Sequence, residues 1–116
     1  HLLDERRDPA EMFSLRTGDE IRHIPLADIL FFEAAPKAHH VYLHTADSRL
    51  DFVGSLNELE KELGGRFIRV HRAYLAAWDK IEAVDGKGNQ VRVGGRTCLL
   101  SRTGKAELKK KWRGSF

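Results

Sequence analysis

The sequence is poor in cysteine, in proline and in long apolar runs. Its 116 residues contain one cysteine, Cys98, and three prolines. A single cysteine excludes an internal disulfide framework and any CxxC metal or redox motif. No stretch approaches the roughly 18 consecutive apolar residues of a membrane span, and no secretory signal is visible. No repeat or low-complexity tract breaks the chain. The GxSxG context of a hydrolase serine is missing. Gly86-Lys87-Gly88 is not a phosphate loop, because the strand–GxxxxGK[ST]–helix frame is lacking. No paired carboxylates can be placed for acid–base work, so an enzyme is not expected.

What is present argues for one folded domain. Hydrophobic residues make up 41% of the chain, too many for a disordered segment, and the length suits a single domain with a real core. A start at His1 reads as a piece cut from a larger protein. Residues 1–11, charged and containing Pro9, read as a linker remnant with a possible helical turn at Leu2 and Leu3, and residues 12–116 as the domain. The six histidines invite a metal site, and His39, His40 and His44 are the only cluster. On a strand, His40 and His44 would lie about 13 Å apart, too far for one ion. Neither a metal nor another cofactor is expected.

The formal charge of +3 hides an asymmetry. Residues 1–62 carry 13 acids and 7 bases, residues 63–116 carry 4 acids and 13 bases. A half with a balance of +9 suits a polyanion, although a solvated basic tail has the same composition.

Short strands with frequent turns dominate the pattern. Met12–Arg16 and Ile21–Ile24 form a hairpin about Gly18, and Pro25 ends the pairing. Ile29-Leu30-Phe31-Phe32 suits a strand buried on both faces. Val41 and Leu43, then Leu50 and Phe52, alternate on either side of the turn at Thr45–Ser48. Ser55-Leu56-Asn57-Glu58 is a capping box. It opens a helix with Leu56, Leu59 and Leu63 on one face, which ends at Gly64-Gly65. Phe67–Arg72 resumes a strand pattern, and Ala73–Trp78 is ambiguous between strand and turn. Ile81–Val84, Val91–Val93 and Thr97–Leu100 are short strands, the last two joined by Gly94-Gly95. Ser101–Trp112 reads as a basic terminal helix. The fold class is therefore mainly β with one or two short helices, and a helix-turn-helix is not supported.

Three basic loop regions stand out as candidates for nucleic-acid contact. They are Lys37, His39 and His40 in a break between strands; Arg69, His71 and Arg72 at a strand edge; and Ser101, Arg102, Thr103 and Lys105 at the opening of the last helix. Arg and Lys neutralise phosphates, Arg and His donate to base edges, and a helix N-terminus binds phosphate. Tyr42, Tyr74 and Trp78 are the candidates for base stacking in an RNA-binding alternative, but they sit in core-like contexts. A second alternative is a β-rich protein-interaction or sensory module whose basic half binds an acidic partner.

The blocks Ile24–Ala34, Leu56–Glu60, Phe67–Leu75, Ile81–Val84 and Leu99–Arg102 resemble, in order and spacing, a LytTR domain, the DNA-binding module of AgrA- and LytR-type bacterial response regulators. The resemblance covers about residues 12–112. It implies an elongated stack of small β-sheets whose loops enter two successive major grooves and the minor groove between them. By position, His39 would enter one major groove, Arg72 the minor groove, and Arg102 or Thr103 the other major groove, with Lys37, Arg69 and Lys105 on phosphates. It also implies a cytoplasmic transcription regulator with an upstream receiver domain phosphorylated on an aspartate, and a homodimer on double-stranded DNA. Promoter repeats of quorum-sensing or bacteriocin type would be the targets. Two departures from the AgrA pattern matter. Arg72 replaces an Asn, and Val70 replaces a cysteine, which removes any disulfide to Cys98.

Overall fold

The computed structural model describes residues 11–85 and 87–112. The expected linker remnant and its helical turn at Leu2 and Leu3 fall almost wholly outside them. Strands β1 (Met12–Thr17) and β2 (Glu20–Pro25) form the expected hairpin, with Gly18 in its turn. A 3-10 turn, Leu26–Asp28, leads into β3 (Phe31–Ala34), β4 (His40–His44) and β5 (Arg49–Val53). Helix α1 (Leu56–Leu63) follows, then β6 (Phe67–His71) and β7 (Tyr74–Ala77). The chain closes with β8 (Ile81–Val84), β9 (Gln90–Val93), β10 (Arg96–Leu99) and α2 (Arg102–Trp112).

Five strands in the order β5-β4-β3-β7-β6 make a central antiparallel sheet. Because strand side chains alternate between faces, this sheet builds two cores. One face, with Phe32, Val41, Leu43 and Leu75, packs against the β1–β2 hairpin and against Leu56 and Leu59 of α1. The other, with Phe31, Ile68, Val70 and Ala76, packs against the β10-β9-β8 sheet and Leu108 of α2. The expected strand at Ile29–Phe32 is shorter than its apolar run. Ile29 and Leu30 enter as an extended lead, in which the Leu30 N–H donates to the His44 carbonyl and the Leu30 carbonyl accepts from Ala77. All four residues are buried, with Ile29 and Phe32 in the first core and Leu30 and Phe31 in the second. The ambiguous Ala73–Trp78 segment is resolved as strand β7 followed by a 3-10 turn at Trp78–Lys80.

Helix α1 forms where the capping box places it. The Ser55 hydroxyl accepts from the Glu58 N–H at 3.2 Å, and Gly64 stops the helix with a φ of 61°, a conformation that costs a Cβ-bearing residue energy. Helix α2 docks differently. In β6 the pairing runs from Arg69 opposite Leu75 to His71 opposite Tyr74, so Val70 bulges. Its carbonyl accepts from the Ser101 N–H at 2.8 Å, and the Ser101 hydroxyl in turn caps the Gly104 N–H at 2.9 Å. Gly104 lies directly on Val70, and a Cβ there would overlap the Val70 carbonyl.

A polar cluster ties the central sheet to the β8–β10 sheet. The buried His44 donates from Nε2 to Glu33 at 2.8 Å and accepts at Nδ1 from Arg96 at 3.1 Å, while Arg96 also donates to the Ala46 carbonyl. Phe31 stacks on the imidazole, with ring centroids 4.3 Å apart. Burial lowers the His44 pKa below its ordinary 6.5 and outweighs the Glu33 carboxylate, which acts to raise it; Arg96 and Arg49 add to the lowering. Cys98 packs as a small buried hydrophobe. Burial and then the Glu33 carboxylate push its thiol up to about 12, so the nucleophilic thiolate is scarce at neutral pH.

Gly104→Ala should cost about 1–3 kcal/mol in urea unfolding through overpacking. Gly65→Ala, whose Cβ would meet Lys111 only at an ordinary 3.5 Å, serves as the reference. An equal cost for both would show that the contact with Val70 is unimportant. For His44, the folded state resists protonation, so the unfolded state takes up more protons. Its contribution is complete above pH 6.5 and is lost as the pH falls from there through the lower folded value. His44→Gln, which offers a donor and an acceptor without titrating, should flatten stability against pH in that window; an unchanged slope would rule His44 out as its source.

Candidate nucleic-acid interface

Folding brings residues of the three basic loop regions together along two concavities, with Arg69 and Arg72 shared between them. One concavity of about 230 Å³ has Lys37, His39 and His40 on one wall and Asn57, Arg69 and Arg72 on the other. A second, of about 580 Å³, is lined by Arg69, His71, Arg72, Ser101 and Thr103 and also by the carboxylates Glu60 and Glu107. Arg69 and Arg72 belong to both. Lys37, His39, Arg72, Arg102 and Thr103 are exposed.

The β3–β4 loop owes its shape to backbone hydrogen bonds. His40 N–H donates to the Lys37 carbonyl, Ala35 N–H to the His40 carbonyl, and Gly54 N–H to the His39 carbonyl. These hold His39 at a φ of 64°, and it is the one non-glycine residue with positive φ among the described residues. Such a conformation costs about 1–2 kcal/mol for a residue with a Cβ, and residues kept in it cluster at functional sites. His40 faces the neighbouring strand, where its Nδ1 lies 2.8 Å from Asp51.

The β6–β7 turn is held from inside. Arg69 donates from Nε to the His71 carbonyl at 3.1 Å and from a terminal nitrogen to the Arg72 carbonyl at 2.7 Å. Its other terminal nitrogen reaches Asn57 and Glu60 of α1, each at 2.9 Å. The His71 Nδ1 accepts from the Ala73 N–H at 3.1 Å, so this imidazole braces the turn. Arg72 sits at the apex.

At the start of α2, the Ser101 hydroxyl is the N-cap. Arg102 and Thr103 are exposed on the first turn; Thr103 lines the larger concavity and Arg102 lines neither. Lys105 leans toward Gly88 in the β8–β9 loop and lines neither concavity. The stacking candidates are engaged elsewhere. Arg49 covers the Tyr42 ring at 4.3 Å, Tyr74 bonds to Glu33, and Trp78 packs against Trp112 with Lys111 nearby.

Asn57, Glu60 and Asp51 were not singled out from the sequence. Asn57 and Glu60 share a helix face at i, i+3. Nothing local connects them to an arginine on the next strand. Among the described residues no three His, Cys, Asp or Glu side chains are placed to hold a metal, and no helix is long and apolar enough to cross a membrane.

Comparison with known proteins agrees with this architecture. Residues 19–113 match the model of the LytTr DNA-binding domain. Over 74 residues the chain is 39% identical to the positive alginate biosynthesis regulatory protein of Pseudomonas aeruginosa. That match takes in 64% of this chain and 29% of the relative. Among solved structures, a LytTr DNA-binding domain from Bacillus cereus superposes with a TM-score of 0.73 at 21% identity, covering 89% of this chain and 97% of that domain.

The strained His39 backbone generates a test. Asn tolerates positive φ better than other residues with a Cβ, so His39→Asn should leave urea stability within about 0.5 kcal/mol of wild type. A loss clearly above 1 kcal/mol would make the imidazole a structural element.

Proposed function

The chain belongs to the LytTr DNA-binding domain family, and from that premise we propose that it binds double-stranded DNA through the face built by Lys37–His39, Arg72 and Arg102–Thr103. One observation carries the assignment: Arg72 stands between two concavities, one walled by the β3–β4 loop and the other by the start of α2. That order matches a central minor-groove contact flanked by two major-groove contacts. The molecule measures 42 × 39 × 25 Å, long enough to span the roughly 34 Å of one duplex turn.

In this reading His39 and either Arg102 or Thr103 meet base edges in successive major grooves, and Arg72 enters the minor groove between them. Lys37 sets register on phosphate, as do the first amides of α2, which an N-terminus directs outward. Lys105 is poorly placed for the same duplex face. His40, His71 and Ser101 act through the protein, by holding the loops that carry the contacts.

The chain spans about 29% of the length of the alginate regulator it matches. We therefore read it as the effector part of a response regulator, with a receiver domain preceding it and two copies binding repeated half-sites. Repeats in quorum-sensing or bacteriocin-type promoters are the targets to probe first.

Selection from a random duplex pool should enrich a specific sequence. A chain that enriches none and retains no random duplex in a gel shift would instead fit a module for acidic proteins. With Lys37, Arg72 and Arg102 as the Lys and Arg side chains offered to the duplex, log K should fall against log salt with a slope of about −3; a slope near zero would remove the electrostatic part. Arg102→Ala should cost about 1–3 kcal/mol on the selected duplex if Arg102 reads a base. The same loss on random duplex would reassign it to the backbone. His39→Asn should weaken the selected complex although the fold is unharmed.

A further inference from the structure

Building on the DNA reading above, we infer that Arg69 is a positioning residue, anchored by Asn57 and Glu60 of α1, which fixes the turn presenting Arg72 and does not itself meet DNA. From the sequence alone, Arg69 looks like one more phosphate contact in a basic stretch. Its geometry assigns it otherwise. The hydrogen bonds to His71, Arg72, Asn57 and Glu60 commit four of the five N–H donors a guanidinium carries.

The two carbonyls it caps, of His71 and Arg72, are successive along the chain and flank the Arg72 Cα. A planar fork with diverging donors can reach both at once, which a lysine ammonium at the end of a flexible stem does not reproduce. The turn is held from the other side as well. Ala73 donates its N–H to His71 Nδ1, and its carbonyl accepts from Ala34 at 2.9 Å. The backbone of Arg72 is thereby fixed before any ligand arrives, so that little ordering cost is left for binding.

Glu60 supplies the second line of argument. Its carboxylate borders the concavity between Arg72 and Thr103. A negative charge there repels a polyanion, so as a surface group it works against the proposed function. As an anchor it has a purpose: it lies 2.9 Å from Arg69, whose side chain is 23% exposed against 46% for Glu60. The ion pair also neutralises Arg69 as a free cation, leaving Arg72 as the charge offered at the seam.

The two roles predict opposite results for two conservative variants. Arg69→Lys keeps the positive charge and loses the fork. If Arg69 positions Arg72, R69K should bind the duplex selected by the wild-type chain about 10-fold more weakly, with the salt slope unchanged. In an Arg72→Ala background the same change should cost nothing further, because the residue being positioned is gone. Glu60→Gln removes a negative charge beside the DNA. Loss of repulsion alone would tighten binding, whereas loss of the anchor should weaken it about 3-fold. E60Q alters a half-exposed carboxylate, so it keeps the test decisive if R69K melts early.

The inference is overturned if R69K binds like wild type, if E60Q binds as well as wild type or tighter, or if Arg69→Gln reduces the magnitude of the salt slope by about 0.9, the value of one phosphate. Failure of the wild-type chain to retain any duplex overturns the DNA reading and this inference together. Wild-type binding with any of the three contrary results overturns the inference alone.

Discussion

The contact between the Val70 bulge and the start of α2 is the constraint on which the proposed binding face depends. A regular β6 strand would pair its residues in step with β7. The extra residue instead offers the Val70 carbonyl to the Ser101 N–H. The helix can come this close only because Gly104 has no side chain where it meets that carbonyl. Ser101 then serves twice, through its backbone as the docking donor and through its hydroxyl as the helix cap. The Arg72 turn begins immediately after the bulge. One local irregularity therefore places two of the three loop regions next to each other, although about thirty residues of sequence separate them.

The third region is tied in through α1. Asn57 lines the concavity beside His39 and also accepts from Arg69. The helix that covers one core with Leu56 and Leu59 thus turns a polar edge toward the loops. This division of labour explains why so many candidate basic residues are engaged internally. Arg69, His71, His40 and Ser101 satisfy carbonyls, amides and carboxylates within the protein. The groups they leave exposed, Lys37, His39, Arg72, Arg102 and Thr103, form a small set on a braced support. A braced support suits recognition, since contacts made by pre-organised side chains lose less entropy on binding.

Much of the fold was legible because its signals are local. The capping box gave α1, glycine-marked turns gave the hairpins, and alternation gave the buried faces of β4 and β5. The four-residue apolar run at Ile29 pointed to burial on both faces, and the two cores on either side of the central sheet account for it. Its strand limits were less legible, because the lead-in at Ile29 and Leu30 is fixed by hydrogen bonds to His44 and Ala77, partners that come later in the chain. The His44–Glu33–Arg96 cluster was hidden for the same reason. Each residue alone looks like an ordinary polar member of a strand, and only the packing of one sheet on another makes them a buried unit.

By itself, the sequence determined the β-rich class, the two helices, the buried faces and the basic loops, because period-two alternation, caps and turn residues act over a few positions. The tertiary structure alone decided which basic side chains are offered outward and which are consumed as braces. That choice depends on whether a carbonyl or carboxylate from another element lies within about 3 Å of each cation, a distance that no spacing along the chain encodes.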